Sequence, residues 1–258
     1  MKTATRPSTE VSAGYAANME GVAAVERALA IVEAIEQAEQ PLTLTAVSEA
    51  TGLYKSAVLR MMVTLERRGL VLRRQDQRYA LGPLAFRLGR AYARSNHIEE
   101  QLAPLMQDLV ARGTESPSFH VRHDGDTRLC LLRFDSHHST LDRVRAGDLL
   151  PLKRGAAGKV LLRFGAGDTK EAGSELAEYS FGERDPACGA VAGPVFGPGG
   201  ELVGALSLSG PLDRFTEAAV KKMVKPLLEA CEAATRSLGG VWPEERSARS
   251  PAKRAIKA

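Results

Sequence analysis

The sequence predicts an α+β chain in two parts: three short helices closed by a hairpin, then a larger antiparallel sheet flanked by helices. Three observations carry this. Apolar residues recur every three to four positions in consecutive segments between residues 22 and 68. Two short apolar runs around a polar tip follow at once. Beyond residue 98, short apolar runs meet at turn residues, with helical periods at both ends of the region.

The first helix is expected over residues 22–38, with Val25, Ala28, Leu29, Val32 and Ile35 as its apolar stripe, and Pro41 breaks it. Residues 43–51 form a second helix with Leu44, Val47 and Ala50 on one face, and Gly52 stands where a helix end wants a left-handed residue. The third runs from Lys55 to about Arg68 and stops at Gly69. Residues 70–73 and 79–81 read as strands around the tip Arg74 to Arg78. Helices two and three around a tight glycine turn, followed by a hairpin, make a winged helix-turn-helix. Pro83 opens a linker helix carrying Leu84, Phe86, Leu88 and Tyr92.

In the second part, residues 98–112 and 155–164 are expected as helices and residues 216–238 as a long closing helix. Strands are expected at 118–122, 127–134, 140–144, 190–196 and 202–209, the last two around Gly197-Pro198-Gly199-Gly200. The domain reading is a disordered tail (1–21), a winged helix-turn-helix (22–82), a linker helix (83–97), a sheet-and-helix domain (98–240) and a basic disordered tail (241–258).

Charge separates these parts. Residues 22–95 hold 11 Lys and Arg against 7 Asp and Glu, while residues 96–240 hold 17 against 20. A basic module on an acidic body suits contact with a polyanion. No apolar run reaches the length of a membrane span, and residues 1–21 have no apolar stretch of the secretory kind. Cys130, Cys188 and Cys231 are odd in number and far apart, which fits a reducing cytoplasm better than a disulfide scaffold.

The third helix is the most informative segment. Val58, Met61, Met62 and Leu65 face its neighbours, while Ser56, Arg60, Thr64 and Arg67 recur at helical spacing on the other side. A helix that enters the major groove of double-stranded DNA needs such a face, and Arg can contact guanine bidentately. Lys55, Arg73, Arg74 and Arg78 flank it and can meet phosphates.

Along VERALAIVEAI, LTAVSEATGLYKSAVLRMMVTLERRGLV, YALGPLAFRLG, RAGDLLPLKRGAAGKVLL and GAVAGPVFGPGGELVGALSLSGPLDRFT the chain resembles the IclR-type transcription regulators. The resemblance implies a GAF-like effector domain after the linker helix, assembly as dimers or tetramers, and binding to a DNA operator. It also implies an effector pocket for a small organic or aromatic acid. Its walls map to Gly155, Ala156 and Ala157, the loop near Glu183 and Asp185, Ala190, and Ser207 with Ser209. Tyr54 and Ala57 depart from the family, which commonly has Ser or Pro and then Thr there, so no operator sequence carries over.

The physics agrees with that pocket. A helix start of small residues at 155–157 favours an anion, and serines two apart on a strand face one side. Competing chemistry is poorly supported. The segment Gly155 to Lys159 lacks the leading glycine and following hydroxyl of a phosphate loop. Among His97, His120, His123, His137 and His138, the strand pair 120 and 123 points to opposite faces, so no metal site is expected. Cys188 has no histidine partner in sight, so neither catalysis nor a cofactor is expected. The rival reading is a GAF-like enzyme or a ligand-binding protein without DNA binding.

Overall fold

A computed structural model of the chain describes residues 21–95, 97–165 and 176–243. The tails expected at 1–21 and 241–258 fall almost wholly outside the described residues. The chain divides into two compact units, one up to Ser95 and one from residue 96 onward.

The first unit comprises α1 (Ala23–Glu36), α2 (Leu44–Thr51), α3 (Lys55–Arg67), β1 (Val71–Arg73), β2 (Tyr79–Leu81) and α4 (Pro83–Ser95). Helix α2 starts on Thr43, whose hydroxyl accepts the Ala46 amide at 3.2 Å, and ends on Gly52 at φ +67°. That conformation lets the chain turn at once into α3. Strands β1 and β2 pair antiparallel from Val71 opposite Leu81 to Arg73 opposite Tyr79. Leu42 exchanges two backbone hydrogen bonds with Tyr79, at 3.0 and 2.7 Å, and so anchors the hairpin to the helices.

The core of this unit is Ile31, Ile35, Val47, Val58, Met62, Leu65, Val71 and Tyr79. Each such buried large apolar side chain contributes about 1.5–3 kcal/mol. The stripe of α1 is displaced from the one expected: Val25 and Leu29 are half exposed, and Ile31 is fully buried. Val25 and Leu29, in the first turns of α1, line an open groove with Ala57 and Met61 of α3 rather than the core.

The second unit holds α5 (Ile98–Ala111), β3 (Ser116–Arg122), β4 (Thr127–Arg133), β5 (Leu149–Pro151) and α6 (Ala156–Gly165). It continues with β6 (Glu178–Phe181), β7 (Cys188–Phe196), β8 (Leu202–Pro211) and α7 (Glu217–Ser237). The strands form one six-stranded antiparallel sheet in the order β5-β4-β3-β8-β7-β6. The β3–β4 turn is shaped by Asp124, whose carboxylate accepts the amides of Asp126 (2.8 Å) and Thr127 (2.6 Å). The β7–β8 turn uses the predicted glycines.

Three strands differ from expectation. Residues 140–144 are not a strand. Their segment is held by side chains instead: the buried Asp142 carboxylate pairs with Arg133 at 2.5 Å, and the Thr140 carbonyl accepts from Arg214 at 2.7 Å. Strand pairing resumes at β5. Strands β5 and β6, the two short edge strands of the sheet, were not expected.

The two faces of the sheet carry different side chains. A Cβ on Gly193 would meet Cys231 and Leu228 of α7, so residues 191 and 193 face that helix. The alternate residues Ala190, Ala192, Ala205, Ser207 and Ser209 therefore face α6. Small side chains on this face leave room beneath the start of α6.

Candidate nucleic-acid interface and ligand cavity

On α3, Ser56, Arg60, Thr64 and Arg67 are all exposed, and Lys55 stands at the first helical position. Tyr54 occupies the N-cap without a side-chain hydrogen bond and is 86% exposed. The first turn holds no acidic residue. Its amides and Lys55 thus present partial and full positive charge to solvent, an arrangement that favours a phosphate. Leu59 and Val63 are exposed beside Arg60. Sequence reasoning passed over them, although apolar side chains on a reading helix can meet thymine methyls.

The hairpin arginines are not equivalent. Arg73 lies over the Tyr79 ring, 5.8 Å from its centre. Arg78 donates to the Pro41 carbonyl at 3.2 Å and pairs weakly with Asp76 at 3.9 Å, so it braces the hairpin as well as adding charge. Arg74 is exposed at the tip.

In the second unit a small cavity of about 30 Å³ lies between the start of α6 and the small-residue face of the sheet. Gly155 (φ +85°), Ala156, Ala157, Ala190, Ser207 and Ser209 all line it. Cross-strand pairing explains the serines: Ser207 stands opposite Ser118 and Ala192, and Ser209 opposite Ser116 and Ala190. Glu183 and Asp185 do not line the cavity. Glu183 pairs with Lys159 at 2.5 Å, Asp185 accepts the Ala187 amide at 3.0 Å, and Arg184 between them faces the cavity instead.

The lining residues not anticipated as cavity walls include His120, Arg128, Asp142 and Arg184. Arg128 is buried, and one guanidinium nitrogen donates to the carbonyls of Pro151 and Arg154 (2.8 Å to the latter). It thereby ties down the strand and loop that lead into α6. Burial, and then the charge of Arg184, pull its pKa down to about 10. His120 is 3% exposed, and its Nε2 is 2.9 Å from the Ser118 hydroxyl. Burial first, then Arg128, Arg184 and Arg133, push its pKa down to about 3, so the ring is neutral near pH 7. Asp142 is shared between Arg133 (2.5 Å) and Arg184 (3.6 Å). The cavity thus holds more cation than anion, which suits an acid. Among the described residues no cluster of three or more His, Cys, Asp or Glu could hold a metal ion.

Residues 24–75 match the family model described as the IclR helix-turn-helix domain. The chain is 28% identical over 239 residues to the HTH-type transcriptional regulator BhcR of Paracoccus denitrificans, covering 81% of this chain and 85% of the relative. It is 23% identical to the transcriptional repressor IclR of Escherichia coli, covering 85% and 91%. The fold matches the crystal structure of an IclR homologue complexed with 4-hydroxybenzoate from Microbacterium hydrocarbonoxydans. There the TM-score is 0.70 at 19% identity, covering 83% of this chain and 98% of that one. A helix-turn-helix with an exposed cationic third helix that matches the IclR helix-turn-helix domain, in a chain similar along most of its length to known transcription regulators, supports an IclR-type transcription regulator.

Proposed function

We propose that the chain is a ligand-responsive regulator that binds a double-stranded operator as a homo-oligomer in the cytoplasm, with a small organic or aromatic acid as its effector. The cavity carries the ligand half: a helix start, paired serines and two arginines converge on one small space. The solved relative that carries 4-hydroxybenzoate supports an acid as the class of effector. Three unpaired cysteines, two of them buried, fit a reducing compartment. No helix among the described residues is long and apolar enough to cross a membrane.

In this reading Arg60 contacts base edges, with Ser56, Thr64 and Arg67 beside it. Lys55, Arg73, Arg74 and Arg78 hold the phosphate backbone. Gly155, Ala156, Ala157, Ala190, Ser207 and Ser209 enclose the acid. An acid that favours one arrangement of paired effector domains alters the spacing of two recognition helices, and half-site geometry turns that into a change of affinity. Mobility shift on the DNA upstream of the protein's own gene, with and without a panel of acids, tests this. Retardation of that DNA over random DNA, changed by an acid, supports the reading. Equal retardation of both at every acid concentration refutes it.

A further inference from the structure

Leu59 and Val63, one helical turn apart, form an apolar strip on α3 that is 43% and 56% exposed. Single exposed apolar side chains are ordinary, but this pair lies within a charged face. Val63 has Arg60 three residues before it and Arg67 four after it, the spacings that set side chains next to one another on a helix. Leu59 stands in the same relation to Ser56 and to Val63 itself. Val58, Met62 and Leu65 hold the opposite side of the helix in the core. Neither residue of the strip lines the groove against α1, which opens on the flank of Ala57 and Met61.

The surroundings limit what covers the strip. Arg60 and Arg67 have no ion-pair partner among the described residues. Glu66, the one acidic residue of α3, is partly buried in the last turn. A second copy of this face would set arginine against arginine. DNA neutralises the arginines, and its major groove displays one apolar group, the thymine C5-methyl. Val63 is well prepared for such a contact, because a β-branched side chain in a helix keeps essentially one rotamer and loses little entropy on docking.

We propose that Val63 and Leu59 are specificity-determining residues that read thymine methyls beside the base edge contacted by Arg60. Two side chains one turn apart, about 6 Å along the helix, reach methyls within about two base-pair steps of each other. Each half-site therefore carries one or two thymines recognised through the methyl group rather than through hydrogen-bonding atoms. This inference rests on α3 being the reading helix.

Replacing thymine by deoxyuridine removes the methyl and leaves every hydrogen-bonding atom in place. Anisotropy of the full-length protein on the DNA upstream of its own gene, with thymines replaced one at a time, reads the contact. At one or two positions per half-site the replacement should weaken binding about fourfold, the loss expected for one buried carbon. Each such penalty should vanish in Val63→Ala or in Leu59→Ala, while affinity for scrambled DNA stays at the wild-type level. Both variants place alanine at an exposed helical position, which keeps the helix. An effect of the replacement on DNA stiffness alone would give one penalty in wild type and variants alike. Neutral replacement at every thymine, or penalties that both variants retain, overturns the methyl assignment and leaves α3 as the reading helix. A changed oligomeric state of either variant in ultracentrifugation assigns the strip to contact between copies and overturns it as well. Equal wild-type affinity for upstream and scrambled DNA removes the reading helix and this inference together.

Discussion

Burial of His120 makes the second unit sensitive to mild acid by a calculable amount. In the native state the imidazole is enclosed, and Arg128, Arg184 and Arg133 oppose its protonation, so its pKa falls to about 3 from the ordinary 6.5. The unfolded chain takes up this proton near pH 6.5, and the folded chain does not until about pH 3. The stability due to the neutral buried ring is therefore complete above about pH 6.5 and declines as pH falls toward 3, at about 1.4 kcal/mol per pH unit. At pH 5 it amounts to about 2 kcal/mol less than at pH 8. Trp242, the single tryptophan, is buried against Phe196 in this unit and reports its unfolding. Urea titrations followed by its fluorescence at pH 8 and pH 5 give the change in stability for the wild type and for His120→Leu. The variant should lose about 2 kcal/mol less between the two pH values, other titrating groups being common to both. An identical pH dependence would falsify the picture of a buried neutral ring among arginines.

Other perturbations separate the roles assigned above. Arg60→Ala should cost about 1–3 kcal/mol on the cognate operator and relax its specificity, whereas Lys55→Ala should weaken cognate and random DNA alike and reduce the salt slope by about one, both read by fluorescence anisotropy. Ala156→Asp sets a negative charge and added bulk at the start of α6, and calorimetry should find acid binding abolished while ligand-free operator binding persists. Gly158→Ala should lower stability by about 1–3 kcal/mol, because its Cβ would press on the Leu152 carbonyl. Gly125→Ala, with nothing near its Cβ, should stay within about 0.5 kcal/mol of wild type in the same urea titration.

Local periodicity made the first unit legible. Gly52 and Gly69, both at positive φ, end α2 and α3 where the pattern places them, and the alternation of Val58, Met62 and Leu65 with Ser56, Arg60 and Thr64 sorts α3 into two faces. The α1 stripe was misread at Val25 and Leu29 because periodicity gives a face but not the length over which neighbours cover it. In the second unit, Ser207 and Ser209 could be paired from their spacing on one strand. His120, Arg128, Asp142 and Arg184 come from separate segments that only the sheet register and the loops around it bring together. Residues 140–144 looked strand-like because nothing local reveals that Asp142 is drawn inward by Arg133 and Arg184. The loop at 183–185 enters through the family resemblance, yet Glu183 pairs with Lys159, Asp185 accepts the Ala187 amide, and the arginine between them lines the cavity.

The claim that α3 reads an operator is tested most directly by anisotropy of the full-length protein on the DNA upstream of its own gene and on a scrambled copy, across a salt series. The account predicts a preference for the upstream DNA that persists as salt rises, with both affinities falling along log-linear salt slopes, and loss of that preference in Arg60→Ala. Equal affinity for the two DNAs at every salt concentration, or a preference that Arg60→Ala leaves intact, would contradict it.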